Sequence, residues 1–329
     1  MGRVGRRQFL VVTGALFAAP FAAEAQQLQK IRRIGVLPPG PLSVRLHLWD
    51  AFRQGLRELG YVEGQTIAIV FPSAEVSAER LPELAQELVR LKVDVIVAAG
   101  TVAIQAAQNA TKTIPIVMPV VTDPVGTGAA ASLARPGGNV TGLTLISPDI
   151  TGKRVQLLKE IVPGASRIVI LSNPTSRNSE PQIREAEIAA RALGAQLAPL
   201  QVRGPDDFES AFQTASKHRA DALLAVDDAL FFTHRKQIVD LAAKHRLPAL
   251  YGYREFVDAG GLMTYAANLP EMYRRAAHFV DKILKGAKPA DLPIEQPTTF
   301  ELVINMKTAK ALGIAIPPSV LLRADRVIE

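Results

Sequence analysis

The sequence predicts an α/β protein built as two doubly wound parallel-sheet lobes joined by a hinge. Three observations carry this reading. Apolar runs of strand length alternate with helical stretches through most of the 329 residues, and strand–helix alternation selects a parallel sheet with helices on both faces. The alternation restarts near residue 150, so the second half repeats the order of the first. Beyond it, a long tail continues the alternation, with enough chain to cross back to the first lobe. More than one crossover between lobes is a hinge design.

Residues 1–25 are expected to be an export signal peptide and not part of the fold. A basic start (Arg3, Arg6, Arg7) precedes an apolar run from Phe9 to Ala22 and the A-x-A site Ala23-Glu24-Ala25. The run is too short to span a bilayer. Arg6-Arg7-Gln8-Phe9-Leu10 fits the R-R-x-F-L pattern of twin-arginine export, with general secretory export as the alternative. Either route puts a mature chain starting near Gln26 outside the cytoplasm, in the periplasm.

Lobe 1 is expected over residues 26–147. Ile31 to Leu37 is its first strand, followed by the loop Pro38-Pro39-Gly40-Pro41 and Leu42-Ser43. Val44 to Leu59 is a helix with Leu48, Phe52, Gly55, Leu56 and Leu59 at helical spacing, stopped by Gly60. Gln65 to Phe71 is the second strand, and Ala78 to Lys92 an amphipathic helix. The stretch from Val93 to Gly128 organises the lobe: a buried strand (Val93 to Ala99), a Gly100-Thr101 turn, a helix (Val102 to Thr111), and an apolar strand (Ile114 to Val121) closing on Thr122-Asp123-Pro124. Val140 to Ile146 is a short strand after a Pro-Gly-Gly-Asn loop.

Lobe 2 is expected over 148–267. Helices at 151–161, 179–193, 205–218 and 233–245 alternate with strands at 167–171, 195–202, 222–226, 249–251 and 261–266. In the tail, a helix from Pro270 to Leu284 lies in the segment (about 268–297) expected to return to lobe 1. A strand from Thr298 to Ile304 and a helix from Met306 to Leu312 follow, expected on lobe 2 or the hinge.

Composition excludes several functions. The chain has no cysteine, which removes thiol catalysis, Cys-ligated metal and disulfides. The net charge is +7, of which residues 1–25 carry +2, and the basic residues form no tract with interleaved aromatics. Nucleic acid is not a predicted partner. No G-x-S-x-G, H-E-x-x-H or G-x-x-x-x-G-K-[ST] occurs, and His47, His218, His234, His245 and His278 are scattered without metal-ligand spacing. No cofactor and no metal are expected. Gly126-Thr127-Gly128-Ala129-Ala130-Ala131 matches G-x-G-x-x-A, but it follows the wrong strand and lacks the downstream acid that binds ribose. It is expected to be a helix start packed tightly against a strand.

Polar residues at strand ends point to binding. Thr101 and Asp123 in the first half, and Asn173 and Asp227 with Tyr251 nearby in the second, all fall at the carboxyl edge, where open α/β sheets bind ligands. Facing each other across a cleft, they suit a small polar or zwitterionic ligand, with hydroxyls and amides for a carboxylate and an aspartate for an amine. Ser43 in the first loop and Ser147 at the lobe boundary are secondary candidates.

Several blocks also carry a resemblance. Ile114-Pro115-Ile116-Val117, Asp123-Pro124-Val125-Gly126-Thr127-Gly128, Ser132 to Leu143 with its Ala-Arg-Pro-Gly-Gly-Asn core, Gly152-Lys153-Arg154, Asn173-Pro174, Asp227-Asp228, Pro297 to Asn305 and Ile316-Pro317-Pro318-Ser319 are involved. Together they resemble the ABC-transporter substrate-binding family whose characterised members take aromatic amino acids such as tryptophan. The resemblance covers essentially the whole mature chain. It implies a type I periplasmic-binding fold, ligand capture in the interlobe cleft and delivery to an ABC permease in the membrane. An aromatic amino acid or related carboxylate is the implied ligand, the receptor is expected to be a monomer, and no reaction is catalysed. Two departures bear on the ligand: Gly100-Thr101-Val102 stands where members often have Gly-Thr-Pro or Gly-Ser-Pro, and Asp227-Asp228 where the strand often ends Asp-Asn. The alternative is an exported cofactor-dependent oxidoreductase, separable by an absorbance scan for bound nicotinamide or flavin. A repressor's sensing domain would need an N-terminal DNA-binding helix pair, and the export signal occupies that place.

Overall fold

The first lobe grows from β1 (Arg32–Leu37), whose apolar second half is fully buried. The computed structural model describes residues 31–73 and 75–329; the expected export signal lies outside the described residues. After β1 the chain passes through α1 (Leu46–Glu58), β2 (Ile67–Val70), α2 (Leu81–Arg90), β3 (Val95–Ala98), α3 (Thr101–Ala110), β4 (Ile116–Met118) and β5 (Val140–Gly142). The strands form one sheet in the order β2-β1-β3-β4-β5, with every pairing parallel. Its middle strands are buried throughout, as apolar runs covered on both faces require.

The second lobe contains α4 (Ser147–Ile161), β6 (Arg167–Ser172), α5 (Ser179–Ala192), β7 (Gln196–Gln201), α6 (Asp207–Lys217), β8 (Ala222–Ala225), α7 (Ala229–Thr233), α8 (Arg235–Lys244), β9 (Ala249–Tyr251), α9 (Arg254–Asp258) and β10 (Met263–Ala266). The chain continues through α10 (Leu269–Leu284), β11 (Glu301–Asn305), α11 (Met306–Leu312), α12 (Pro318–Leu321) and β12 (Arg326–Ile328). Strand order is β12-β11-β10-β9-β8-β6-β7. One pairing, β10 with β11, is antiparallel, because the chain re-enters this sheet from the other lobe and not through a crossover helix on its face.

The tail accounts for that re-entry. α10 packs on α1 of the first lobe, where Trp49 meets Tyr273 edge-to-face at 5.0 Å. Glu295 then pairs at the edge of the first sheet, its N–H donating to Gly142 O at 2.9 Å and its carbonyl accepting from Thr144 N–H at 2.9 Å. Thereafter β11 joins the second sheet. The described chain thus crosses between lobes three times: after β5, after β10 and after Glu295.

Among the boundaries that differ from the sequence reading are three helix starts near the cleft. The helix expected from Val44 begins at Leu46, after a 3-10 turn over Leu42–Arg45. The helix expected from Thr151 begins at Ser147, with Pro148 in its first turn, where a missing N–H costs nothing. The helix expected from Thr233 begins at Arg235, after a separate short helix, α7, that Asp228 caps by accepting from Leu230 N–H at 2.8 Å.

Candidate ligand-binding site

Strand ends of both sheets converge on a cavity of about 750 Å³, within the range of small-molecule sites. From the first lobe come Arg45 and Leu48, Gly100 and Thr101 after β3, and Val121 and Thr122 after β4; α10 adds Leu269 and Tyr273. The second lobe supplies Asn173, Asn178, Asp227, Asp228, Phe232 and Tyr253. Gly100 is needed at its position: with φ 76° and ψ 154° it turns the chain from β3 straight into α3, a conformation other residues rarely adopt.

The lobes touch directly across this cavity. Asn178 Nδ2 donates to Thr101 Oγ1 at 2.8 Å. Arg45 Nη2 donates to both Ala229 O and Thr233 Oγ1 at 3.1 Å, and its guanidinium carbon lies 4.7 Å from the centre of the Phe232 ring. At the rim, His47 Nε2 is 3.1 Å from Glu255 Oε1.

Buried polar groups in this cavity are held by networks that leave particular atoms unused. Arg154, on α4, donates from Nη1 to Asp227 Oδ2 at 3.0 Å, from Nε to Tyr265 O at 2.9 Å and from Nη2 to Gly252 O at 3.2 Å. Asp227 N–H in turn donates to Gln182 Oε1 at 2.9 Å, and Gln182 Nε2 to Asn178 O at 3.0 Å. The chain Arg154–Asp227–Gln182–Asn178 is therefore one rigid unit. Four buried atoms on residues that line the cavity have no protein partner: Arg45 Nη1, Thr122 Oγ1, Asn178 Oδ1 and Asp227 Oδ1. An unpaired buried polar atom costs ~1–3 kcal/mol, so the residues around the cavity hold one donor, two acceptors and one hydroxyl beyond what the protein itself satisfies. Burial also pulls the Arg45 pKa down to about 10.

Asp228 behaves differently from its neighbour. Burial pushes its carboxyl above the ordinary value of 3.8, against the donors Leu230 N–H, Ser176 and Asn173. The folded state then holds that proton to higher pH than the unfolded chain, so this group's contribution to stability falls as pH rises above 3.8. Asp228→Asn, which keeps the capping oxygen, is expected to raise the melting temperature at pH 7, with the gain shrinking as pH approaches 4. Thermal scans of both proteins from pH 4 to 8 check this; a gain independent of pH refutes it.

Of the residues singled out from sequence, Thr101, Asn173 and Asp227 line the cavity together. Asn173 spends its side chain locally, Oδ1 accepting from Thr175 N–H at 3.0 Å and from Thr175 Oγ1 at 2.7 Å. The other four do not line it. Asp123 closes its own turn, Oδ1 accepting from Gly126 N–H at 2.8 Å, the ordinary habit of an aspartate after a strand. Tyr251 is 1% exposed and stacks on Phe256 at 4.6 Å behind the wall. Ser43 is exposed on the 3-10 turn, and Ser147 is buried at the lobe crossover as the first residue of α4. The stretch Gly126–Ala131, expected to start a helix, is instead a series of turns. Arg45, Asn178, Phe232, Tyr253 and Tyr273 escaped sequence reasoning. Only Arg45 had a signal: it follows the Pro/Gly loop at the carboxyl end of the first strand, where the ligand edge lies.

Among the described residues no helix is long and apolar enough to cross a membrane. The family model described as ABC transporter substrate binding protein matches residues 43–328. A tyrosine-binding protein of Clostridioides difficile (strain R20291) is 29% identical over 264 residues, 80% of this chain and 75% of that one. The crystal structure of an ABC domain in complex with L-Trp from Streptococcus pneumonia superposes with a TM-score of 0.84 at 29% identity, covering 91% of this chain and 100% of that one. The ligand-free, open structure of a substrate binding protein with adhesive properties from Clostridium difficile gives 0.67 at 25% identity, over 91% of this chain and 99% of that one. These relatives bind solutes and are not enzymes. With matching fold, cleft and family model, the chain belongs to the ABC transporter substrate binding protein family.

Proposed function

We propose that the protein is the periplasmic receptor of an ABC importer and that its ligand is an aromatic amino acid bound as the zwitterion. The observation that carries this is the set of unpartnered polar atoms on residues lining the cavity. Arg45 Nη1 offers a donor to the carboxylate. Asp227 Oδ1 and Asn178 Oδ1, tied together through Gln182, offer acceptors to the ammonium. Phe232, Tyr253, Tyr273 and Leu48 form an apolar wall for the side chain. The tyrosine-binding relative and the L-Trp complex support the ligand class. The lobe-to-lobe hydrogen bonds, and the higher similarity to the L-Trp complex than to the open structure, support a closed arrangement. Export by the signal at residues 1–25, by the twin-arginine route, would deliver the receptor to its permease, where it acts as a monomer.

Thermal unfolding of the chain from Gln26 onward, against a panel of amino acids, aromatic carboxylates and aromatic amines, tests this. An amino acid at a hundredfold excess over its Kd adds ~2.7 kcal/mol of stability, whereas acids and amines matching only one end of the site add less. Stabilisation by carboxylates alone would refute the zwitterion reading. In the same assay Asp227→Ala is expected to weaken amino-acid binding at least tenfold; unchanged affinity removes Asp227 from the site.

A further inference from the structure

Arg45 occupies an unusual electrostatic position. It belongs to the first lobe, at the end of the 3-10 turn before α1, yet its guanidinium is spent on the second. Nη2 is shared between Ala229 O and Thr233 Oγ1, and the Phe232 ring covers its face. The residue is 2% exposed, and among the described residues it forms no ion pair. The acids whose charge reaches it are engaged elsewhere: Asp228 caps α7, and Glu255 faces His47.

We propose that Arg45 couples ligand recognition to lobe closure: its buried guanidinium is tolerated in the closed cleft only when a ligand carboxylate faces Nη1. The proposal rests on the amino-acid reading above. The physical reason is the cost of withdrawing a cation from water without a counter-charge. Separating the lobes breaks the bonds to Ala229 and Thr233 and returns the guanidinium to water. Closing pays no such penalty when an anion enters with it. A ligand shifts the open–closed equilibrium only by its differential affinity for the two states, and the carboxylate acquires that differential at Arg45. Thr233, whose hydroxyl also donates to Ala229 O at 2.8 Å, is the receiving end of the latch. A ligand with its carboxylate blocked, even one filling the apolar wall, leaves the lobes open.

The chain contains no cysteine, so a dye pair on Lys112→Cys and Lys217→Cys, one exposed site per lobe, reports lobe separation cleanly. L-tyrosine and its amide are the probes, with Kd and dye distance read together. The unaltered binding site is expected to close on L-tyrosine and to stay open with the amide, whose Kd is about a hundredfold weaker. Arg45→Met is expected to weaken L-tyrosine by about the same factor, to bind acid and amide alike, and to close to the same extent with both. Thr233→Val, a milder change, is expected to keep the acid–amide preference while closing less completely. Closure of Arg45→Met on the acid but not on the amide, or a preserved preference for the acid in that variant, overturns the proposal. If the unaltered site binds neither probe, the amino-acid reading fails. The charge penalty is then read without ligand: a shorter dye distance in Arg45→Met, freed of the buried cation, supports it, and identical or longer distances overturn it.

Discussion

Arg154→Leu is expected to lower the melting temperature by about 10 °C and to abolish ligand binding. Arg154 is 1% exposed, and its three nitrogens hold Asp227, the β9 end at Gly252 and the β10 end at Tyr265. Removing it strands a buried carboxylate and two carbonyls, and breaking a buried pair from one side costs about 3–5 kcal/mol. At about 2–4 °C per kcal/mol for a domain of this kind, the shift follows. Binding fails for a separate reason. Asp227 Oδ1 lies where a Cβ on Gly252 would sit, and Arg154 holds both Oδ2 and Gly252 O, so the guanidinium fixes the orientation of the carboxylate. The two effects separate in the double variant Arg154→Leu/Asp227→Leu. An apolar pair of similar volume is often neutral for stability, so the melting temperature is expected to recover while binding does not. A single variant as stable as the parent, or a double variant that binds, would show that Arg154 does not position Asp227. Calorimetric scans with and without amino acid supply both readouts.

The second large effect is expected at Gly55. It sits in α1 where α10 crosses, and a Cβ there would overlap the carbonyl oxygen of Arg274 and press on Ala277 Cβ at 2.9 Å. A side chain would gain up to about 1 kcal/mol of helix propensity over glycine. That gain is outweighed, because the obstacle is backbone and cannot rotate aside, and overpacking costs about 1–3 kcal/mol or more. Valine, whose branched Cβ fits helices less well than alanine, should shift the balance further. Gly55→Val is expected to destabilise the fold by about 2 kcal/mol, and to weaken ligand binding as well. α1 and α10 carry Leu48, Leu269 and Tyr273 into the cavity wall, so spreading the helices moves the wall. A melting temperature within 1 °C of the parent would mean that the helices part without cost.

Much of this molecule was legible without coordinates. Buried parallel strands such as β3 and β8 are short apolar runs, and α2 and α10 show a single apolar face, so burial is written in local periodicity. The carboxyl-edge rule found Thr101 and Asp227 for the same reason: a strand's direction fixes which end its polar terminus faces. What the sequence could not say is which partner each polar group would choose. Asp123 and Asp227 both follow apolar strands, but one accepts from its own turn and the other from an arginine 73 positions earlier. Nor does anything local mark Arg45 as a residue that leaves its own lobe, or β11 as a strand that enters the second sheet against the direction of β10. Hydrophobic periodicity is a property of neighbours along the chain and determined the lobes. Hydrogen-bond and charge partners are neighbours in space, and only the packing of two lobes around one cleft decided them.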